Sequence, residues 1–241
     1  GYNGTTVNDN SGNTLYIYYY YDGNSKDGIT SRHLELSGNY NNVISADSVR
    51  GWCNSLGIDL SSITDIHIGT SSTFISNTFA NFTGLRTVSI NAPVIGCAFS
   101  GCTGITKIVI YSYTTKTVIE EGAFTGCTGL TSLGGLSNVS SIGNHAFSGC
   151  TGLTSLDGLS NVSSIGNYAF YNCTGLTSVS LSSVSSIGSC AFSNCTGLTS
   201  AILYNVGYAG SCIFQGNFSV SVDSSSSDTS TWASDWNDRN Y

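Results

Sequence analysis

The sequence predicts a β-rich repeat solenoid, with short parallel strands in each coil of 22–23 residues, preceded by N-terminal β strands and a capping helix. Three observations predict it. Phe79, Phe99, Phe124, Phe147, Phe170, Phe192 and Phe214 recur at steps of 20, 25, 23, 23, 22 and 22 residues. A period in this range marks coils that cannot bury their apolar faces alone and stack into one core. Leu130, Leu153, Leu176 and Leu198 each follow Cys-Thr-Gly, and three residues later stand Leu133, Leu156, Val179 and Ala201. Cys102, Cys127, Cys150, Cys173 and Cys195 hold one place in five consecutive coils.

Taken in order, residues 1–13 ("GYNGTTVNDNSGN") read as a flexible lead. Residues 14–44 hold two strands, Thr14–Gly23 and Ile29–Gly38, on their aromatic and β-branched content. Residues 45–57 read as a capping helix, with Ser45 as N-cap and Gly57 as stop. Its apolar face is Val49, Trp52, Cys53 and Leu56, at helical spacing. The solenoid runs over 58–222. In each coil the L-x-x-L-x-L pattern, as at Leu176, Val179 and Leu181, predicts a strand whose Thr and Ser point outward and stack about 4.8 Å from the next coil. "NVSSIG" then turns Val162 and Ile165 inward, and a tight turn brings in Ala169, Phe170 and Cys173. "ITDIHI" (Ile63, Ile66, Ile68) matches "LRTVSI" (Leu85, Val88, Ile90) at a step of 22, and Phe218–Val222 reads as the last strand. Residues 223–241 break the repeat and form a C-terminal cap, with Trp232 and Trp236 on a short helix.

The unit "LTSVSLSSVSSIGSCAFSNC" resembles the leucine-rich repeats of the BspA-like class, surface and secreted proteins of bacteria and some protists. The marks are "SIGxxAFxxCxxL" and a period near 23, over about Ile63 to Val222 and strongest over Phe124–Ile202. The resemblance implies a curved solenoid with a parallel sheet on one face, roles in adhesion or recognition, and no catalytic residues. One departure is the proline that usually opens the family's second strand: this chain has a single proline, Pro93.

The cysteine column reads as buried free thiols acting as small hydrophobes, because Phe82 holds the same place one coil earlier and phenylalanine cannot be a ligand. A straight column supplies no tetrahedral cluster for a metal. Outside it, Cys190 and Cys212 lie in adjacent coils and form the candidate disulfide. Cys97 has Asn77 and Gly122 as its column neighbours, and Cys53 belongs to the helix core.

Charged residues make up 9% of the chain, against about 25% in ordinary soluble domains. The net charge of −7, with seven Lys and Arg spread along the chain, excludes a nucleic-acid surface. No apolar run approaches the roughly 20 residues of a membrane span. A chain without methionine has lost its start, as a secreted protein with its leader removed or as a fragment. No nucleophile elbow, phosphate loop or metal box is present, so the chain reads as non-catalytic and without cofactor. The candidate binding patch is Asp65 and His67 with Arg86 and Lys107 on the following coils, and the candidate assembly strand is the tyrosine run Tyr16, Tyr18, Tyr19, Tyr20 and Tyr21. Candidate N-glycosylation sites are Asn3, Asn81, Asn138, Asn161 and Asn217, while Asn172 and Asn194 depend on the side chain pointing outward. The sequence therefore reads as an extracellular scaffold for adhesion or recognition of a protein or glycan at a cell surface. The alternatives are a subunit that assembles with copies of itself into a fibre or coat and, on the exposed rows Thr131, Thr154, Thr177, Thr199 and Ser132, Ser155, Ser178, Ser200, an ice-binding protein.

Overall fold

A computed structural model describes residues 2–23, 30–70, 72, 74, 77–92, 94–111 and 116–240. Ile29 and Pro93, both used above, lie outside the described residues. The chain opens with β1 (Tyr2–Asn8), β2 (Thr14–Asp22) and β3 (Ser31–Gly38), an antiparallel meander. The expected flexible lead is thus a strand paired along its whole length with β2. The turn that follows it is held by the Asp9 carboxylate, which accepts from the backbone N–H groups of Ser11, Asn13 and Asn41 and from the Asn13 amide. Short polar residues that looked like a loop are the knot that closes the hairpin.

Helix α1 (Ala46–Ser55) begins where Ser45 Oγ accepts from Ser48 N at 3.1 Å. It ends in a Schellman arrangement: Gly57 takes φ 70°, Gly57 N donates to Asn54 O and Ile58 N to Cys53 O. Val49 and Cys53 are buried, with Trp52 and Leu56 packed against the core edge.

Next come β4 (Asp65–Thr70), β5 (Thr87–Ile90), β6 (Val94–Ile95), β7 (Lys107–Ile110), β8 (Thr117–Ile119), β9 (Val139–Ile142), β10 (Ser164–Ile165), β11 (Ser178–Leu181), β12 (Ser186–Ile187), β13 (Ser200–Leu203), β14 (Tyr208–Ala209) and β15 (Ser221–Asp223). They form three sheets, ordered β1-β2-β3-β4-β5-β7, β14-β12-β10-β9-β8-β6 and β11-β13-β15. From β3 onward the pairs are parallel, one coil upon the next. The second sheet is continuous. The face carrying the first and third sheets is interrupted across the two coils between Phe124 and Phe170, where "LTSLGGL" and "LTSLDGL" form turns in place of the expected strands.

One core runs the length of the stack. Its spine is the phenylalanine column, every anchor ring buried and near-parallel to its neighbours, with centroids 5.5 Å apart for Phe147–Phe170 and 5.4 Å for Phe170–Phe192. From Phe124 onward the chain makes the corner around each ring with two left-handed residues. They are Tyr168 (φ 55°) and Asn172 (φ 58°) in one coil, Cys190 (φ 55°) and Asn194 (φ 59°) in the next. Earlier coils put glycine at the second position, Gly126 and Gly149, which accepts this φ without steric cost. The C-terminal residues act as a further partial coil. Ile213 N donates to Trp236 O and Ala233 N to Ala209 O, and the Arg239 guanidinium closes the ring column 5.6 Å from the Phe214 centroid. Trp232 and Trp236 pack edge to face at 4.8 Å, but on turns that follow a short 3-10 segment, Thr229–Thr231, and not on the expected helix. Each must reach the core from a separate bend, and Trp232 is fixed by its indole N–H on Val206 O.

Candidate functional site

Two surfaces gather polar and aromatic side chains. The first is the outer face of the N-terminal sheet. Strand alternation buries Leu15 and Ile17 of β2 and turns Tyr16, Tyr18 and Tyr20 outward. Register places Tyr20, His33, Asp65, Thr87 and Lys107 in one row across the sheet, and Tyr18, Glu35, His67, Ser89 and Val109 in the next. His33 Nδ1 meets His67 Nε2 at 3.0 Å. The Tyr20 ring lies over His33 at 4.6 Å and 8°, and 6.5 Å from His67. Asp65 Oδ2 accepts from the Thr64 hydroxyl at 2.5 Å. Burial and the neighbouring His33 lower the proton affinity of His67, opposed by Asp65 and Glu35.

Of the candidate patch, Asp65 and His67 are near neighbours on β4, and Lys107 shares the row of Asp65 two strands away. Arg86 is not in that row: Thr87 stands opposite Asp65, and Arg86 N donates to Thr64 O one residue earlier. The sequence reading missed His33, because β3 lies outside the repeat and column arithmetic cannot set its register.

The tyrosine run is not a strand free to be donated. β2 is paired on both edges, to β1 and to β3. Its outward rings roof their own sheet. Gly4 leaves room for Tyr18, since a Cβ there would stand 2.5 Å from the ring's Cδ1, and Tyr20 covers His33. Tyr19 packs against the core and accepts from Arg32 Nη1 at 2.8 Å, while Tyr16 and Tyr21 are exposed.

The second surface is a groove of about 760 Å³ along the second sheet. Ser141, Ser164 and Ser186 line it in a row, followed by Gly143, Gly166 and Gly188 and by the exposed Asn144 and Asn167, with Glu120 and Glu121 at one end and Tyr208 at the other. The asparagines form a ladder: Asn144 Oδ1 accepts from Asn167 N and Asn167 Oδ1 from Ser189 N, each at 2.8 Å. Gly188 is required here, because a Cβ would stand 2.5 Å from Asn167 N in the preceding coil.

A model of the BspA type leucine rich repeat region matches six copies over residues 54–133 and 94–221. The chain belongs to the BspA-type leucine-rich repeat family. Its fold is similar to the crystal structure of a T. pallidum leucine rich repeat protein, at 21% identity over 85% of this chain and 78% of that one, with a TM-score of 0.51. A leucine rich cell surface protein from Faecalibacterium prausnitzii aligns at 18% identity over 82% of this chain and 54% of that one, TM-score 0.38. No curated protein matches the chain.

In this BspA-type array the repeated cysteine has a bonding role that the sequence did not disclose. Each thiol donates to the carbonyl of the anchor phenylalanine one coil back: Cys127 to Phe99 O at 3.4 Å, Cys150 to Phe124 O at 3.3 Å, Cys173 to Phe147 O at 3.2 Å and Cys195 to Phe170 O at 3.1 Å. Burial pushes the Cys150 and Cys195 thiols up to about 12. The last member of the column is Asn217, whose amide donates to Cys195 O at 2.5 Å and Leu198 O at 3.1 Å. It is only 2% exposed, so it is no glycosylation acceptor as the structure stands. Asn3, Asn81 and Asn161 are exposed and Asn138 is half-buried; Asn194 donates to Asn172 Oδ1. Cys190 and Cys212 are free thiols and not the expected bridge. Two side chains leaving the same left-handed position point in parallel, and their sulfurs turn to Gln215 and Asp235 respectively.

Two threonines of the expected row, and serines outside the expected serine row, also make inter-coil bonds. Thr154 Oγ1 donates to Thr131 O, Thr199 Oγ1 to Thr177 O, Ser163 Oγ to Ser140 O and Ser185 Oγ to Ser163 O. Among the described residues no helix is long and apolar enough to cross a membrane.

Proposed function

We propose that this BspA-type chain is a non-catalytic scaffold displayed outside the cell, and that it recognises a glycan through the groove along the second sheet. The groove's composition carries the reading. Its backbone groups are committed between coils, as when Gly166 N donates to Ile142 O and Gly188 N to Ile165 O. A peptide therefore finds no free ladder to extend. The groove is lined by a row of hydroxyls and amides, with Cys97, Val118, Glu120 and Glu121 at one end and one aromatic ring, Tyr208, which is 49% exposed, at the other. Hydroxyl and amide rows match the hydroxyls of a sugar chain, and an exposed ring gives a sugar an apolar face to stack on. The low-charge, Ser/Thr/Asn-rich composition suits display at a surface and adhesion there.

A glycan array probed with the full chain tests this. Binding to one class of linear glycan, lost in Ser164→Arg and weakened in Tyr208→Ala while both variants keep the wild-type circular dichroism, supports it. No glycan bound, or binding unchanged in both variants, rules the groove out.

A further inference from the structure

We propose that His33 and His67, with Glu35 as third ligand, form a binding site for a divalent transition-metal ion of the zinc, copper or nickel class on the outer face of β3 and β4. The two imidazoles face each other nitrogen to nitrogen at 3.0 Å. Two neutral rings in that position must share one proton or one cation. Ligand nitrogens about 2.0–2.1 Å from a tetrahedral zinc stand about 3.3–3.4 Å apart, so a small ring rotation opens the pair to the edge of such a site. Imidazole nitrogen is a preferred ligand for these metals.

Carboxylates complete the set. Glu35 stands directly across from His67, and Asp65 across from His33. Side chains so placed stand on neighbouring strands about 4.7–4.9 Å apart, within reach of one ion. Asp65 is already held by the Thr64 hydroxyl, which leaves Glu35 as the side chain to swing in and Asp65 as an outer partner. Among the described residues no three His, Cys, Asp or Glu groups are grouped closely enough to hold a metal ion, so the proposed site starts from the two imidazole nitrogens and needs Glu35 to swing in. Two further features favour it. The histidines sit on strands fixed by a continuous parallel ladder, so their separation is set by the sheet. Tyr20 roofs the pair and keeps water from one side.

The test is calorimetric titration of the tag-free full chain with zinc chloride, repeated with magnesium chloride, on wild type, His33→Asn, His67→Asn and Glu35→Gln. The expected result is one zinc per chain, no response to magnesium, and a fall in each histidine variant larger than the roughly 10–100-fold that loss of an outer partner costs. Glu35→Gln should fall between. Zinc should also shift the ring resonances of both histidines in ¹⁵N-histidine spectra, and acidification should release it. Circular dichroism checks that each variant is folded. No zinc binding by wild type overturns the proposal. So does wild-type zinc affinity in both histidine variants, which places the ion away from the pair, or binding of magnesium as tight as that of zinc, which reduces the site to an acidic patch. The site is independent of the groove, so neither outcome bears on glycan recognition.

Discussion

The coils that begin at Phe124 and Phe147 have 23 residues, whereas those that begin at Phe170 and Phe192 have 22, and the two pairs build the same face differently. In the shorter coil Leu176, Val179, Leu181 and Val184 turn inward at spacings of three, two and three, and the middle spacing of two is a strand, β11. In the longer coil Leu153, Leu156, Leu159 and Val162 are inward at spacings of three throughout. A spacing of three cannot alternate, so the chain turns at Asp157-Gly158 and the sheet is broken. Gly158 is the residue that permits it: a Cβ there would overlap Leu133 O in the coil below, as one at Gly135 would overlap Ile108 O. The inward columns on either side are untouched. One inserted residue therefore switches secondary structure without changing what is buried.

The largest expected effect tests that last statement. Phe147→Ala in a long coil and Phe192→Ala in a short one should each cost about 3–5 kcal/mol in urea unfolding, since each empties one site of the same ring column. A clear difference between them would mean that the two coil types do not share one core. Gly158→Ala should cost about 1–3 kcal/mol or more by forcing the coils apart, whereas Ser180→Ala, the neighbouring position in the short coil, should stay within about 0.5 kcal/mol. Deletion of Asp157 is a sharper probe. It restores the 22-residue spacing, and amide exchange should then slow at residues 155–159 as a strand joins β11; unchanged exchange would show that sequence and not length makes the turn. A smaller effect concerns the thiols common to both coil types. Their pKa values are raised on folding, so they stay protonated in the native chain and ionise in the unfolded one. Stability from this source is full below about pH 9 and declines as pH climbs toward about 12. Iodoacetamide at pH 8 should accordingly leave Cys150 and Cys195 unlabelled until urea is added, with the half-buried Cys97 and Cys212 labelled first.

The anchor phenylalanines and the leucine and cysteine columns were legible because identical residues at a near-constant period can only be stacked. The second sheet was legible through Ile142, Ile165 and Ile187, which keep their distance from the anchor in every coil. The broken strand was not, because Leu156 and Val179 occupy equivalent places and the inserted residue comes after them. β1 was missed because its pairing depends on Asp9 gathering N–H groups from as far away as Asn41. His33 was missed for the same reason, since its partner across the sheet is fixed by tertiary pairing. Asn217 shows the limit of a column argument: a place that holds phenylalanine and cysteine elsewhere can take an amide if local carbonyls satisfy it.

The thiol, threonine and serine bonds between coils share a direction. Apart from Thr125 Oγ1, which donates forward to His145 O, the donor belongs to the later coil and the acceptor is a carbonyl of the one before, as from Cys173 to Phe147 O or from Ser185 to Ser163 O. A ribosome releases the earlier coil first. Each coil leaving the exit tunnel thus carries side-chain donors to acceptors already in position, while the backbone bonds at the phenylalanine corner, as from Phe147 N to Ala169 O, wait for the coil that follows.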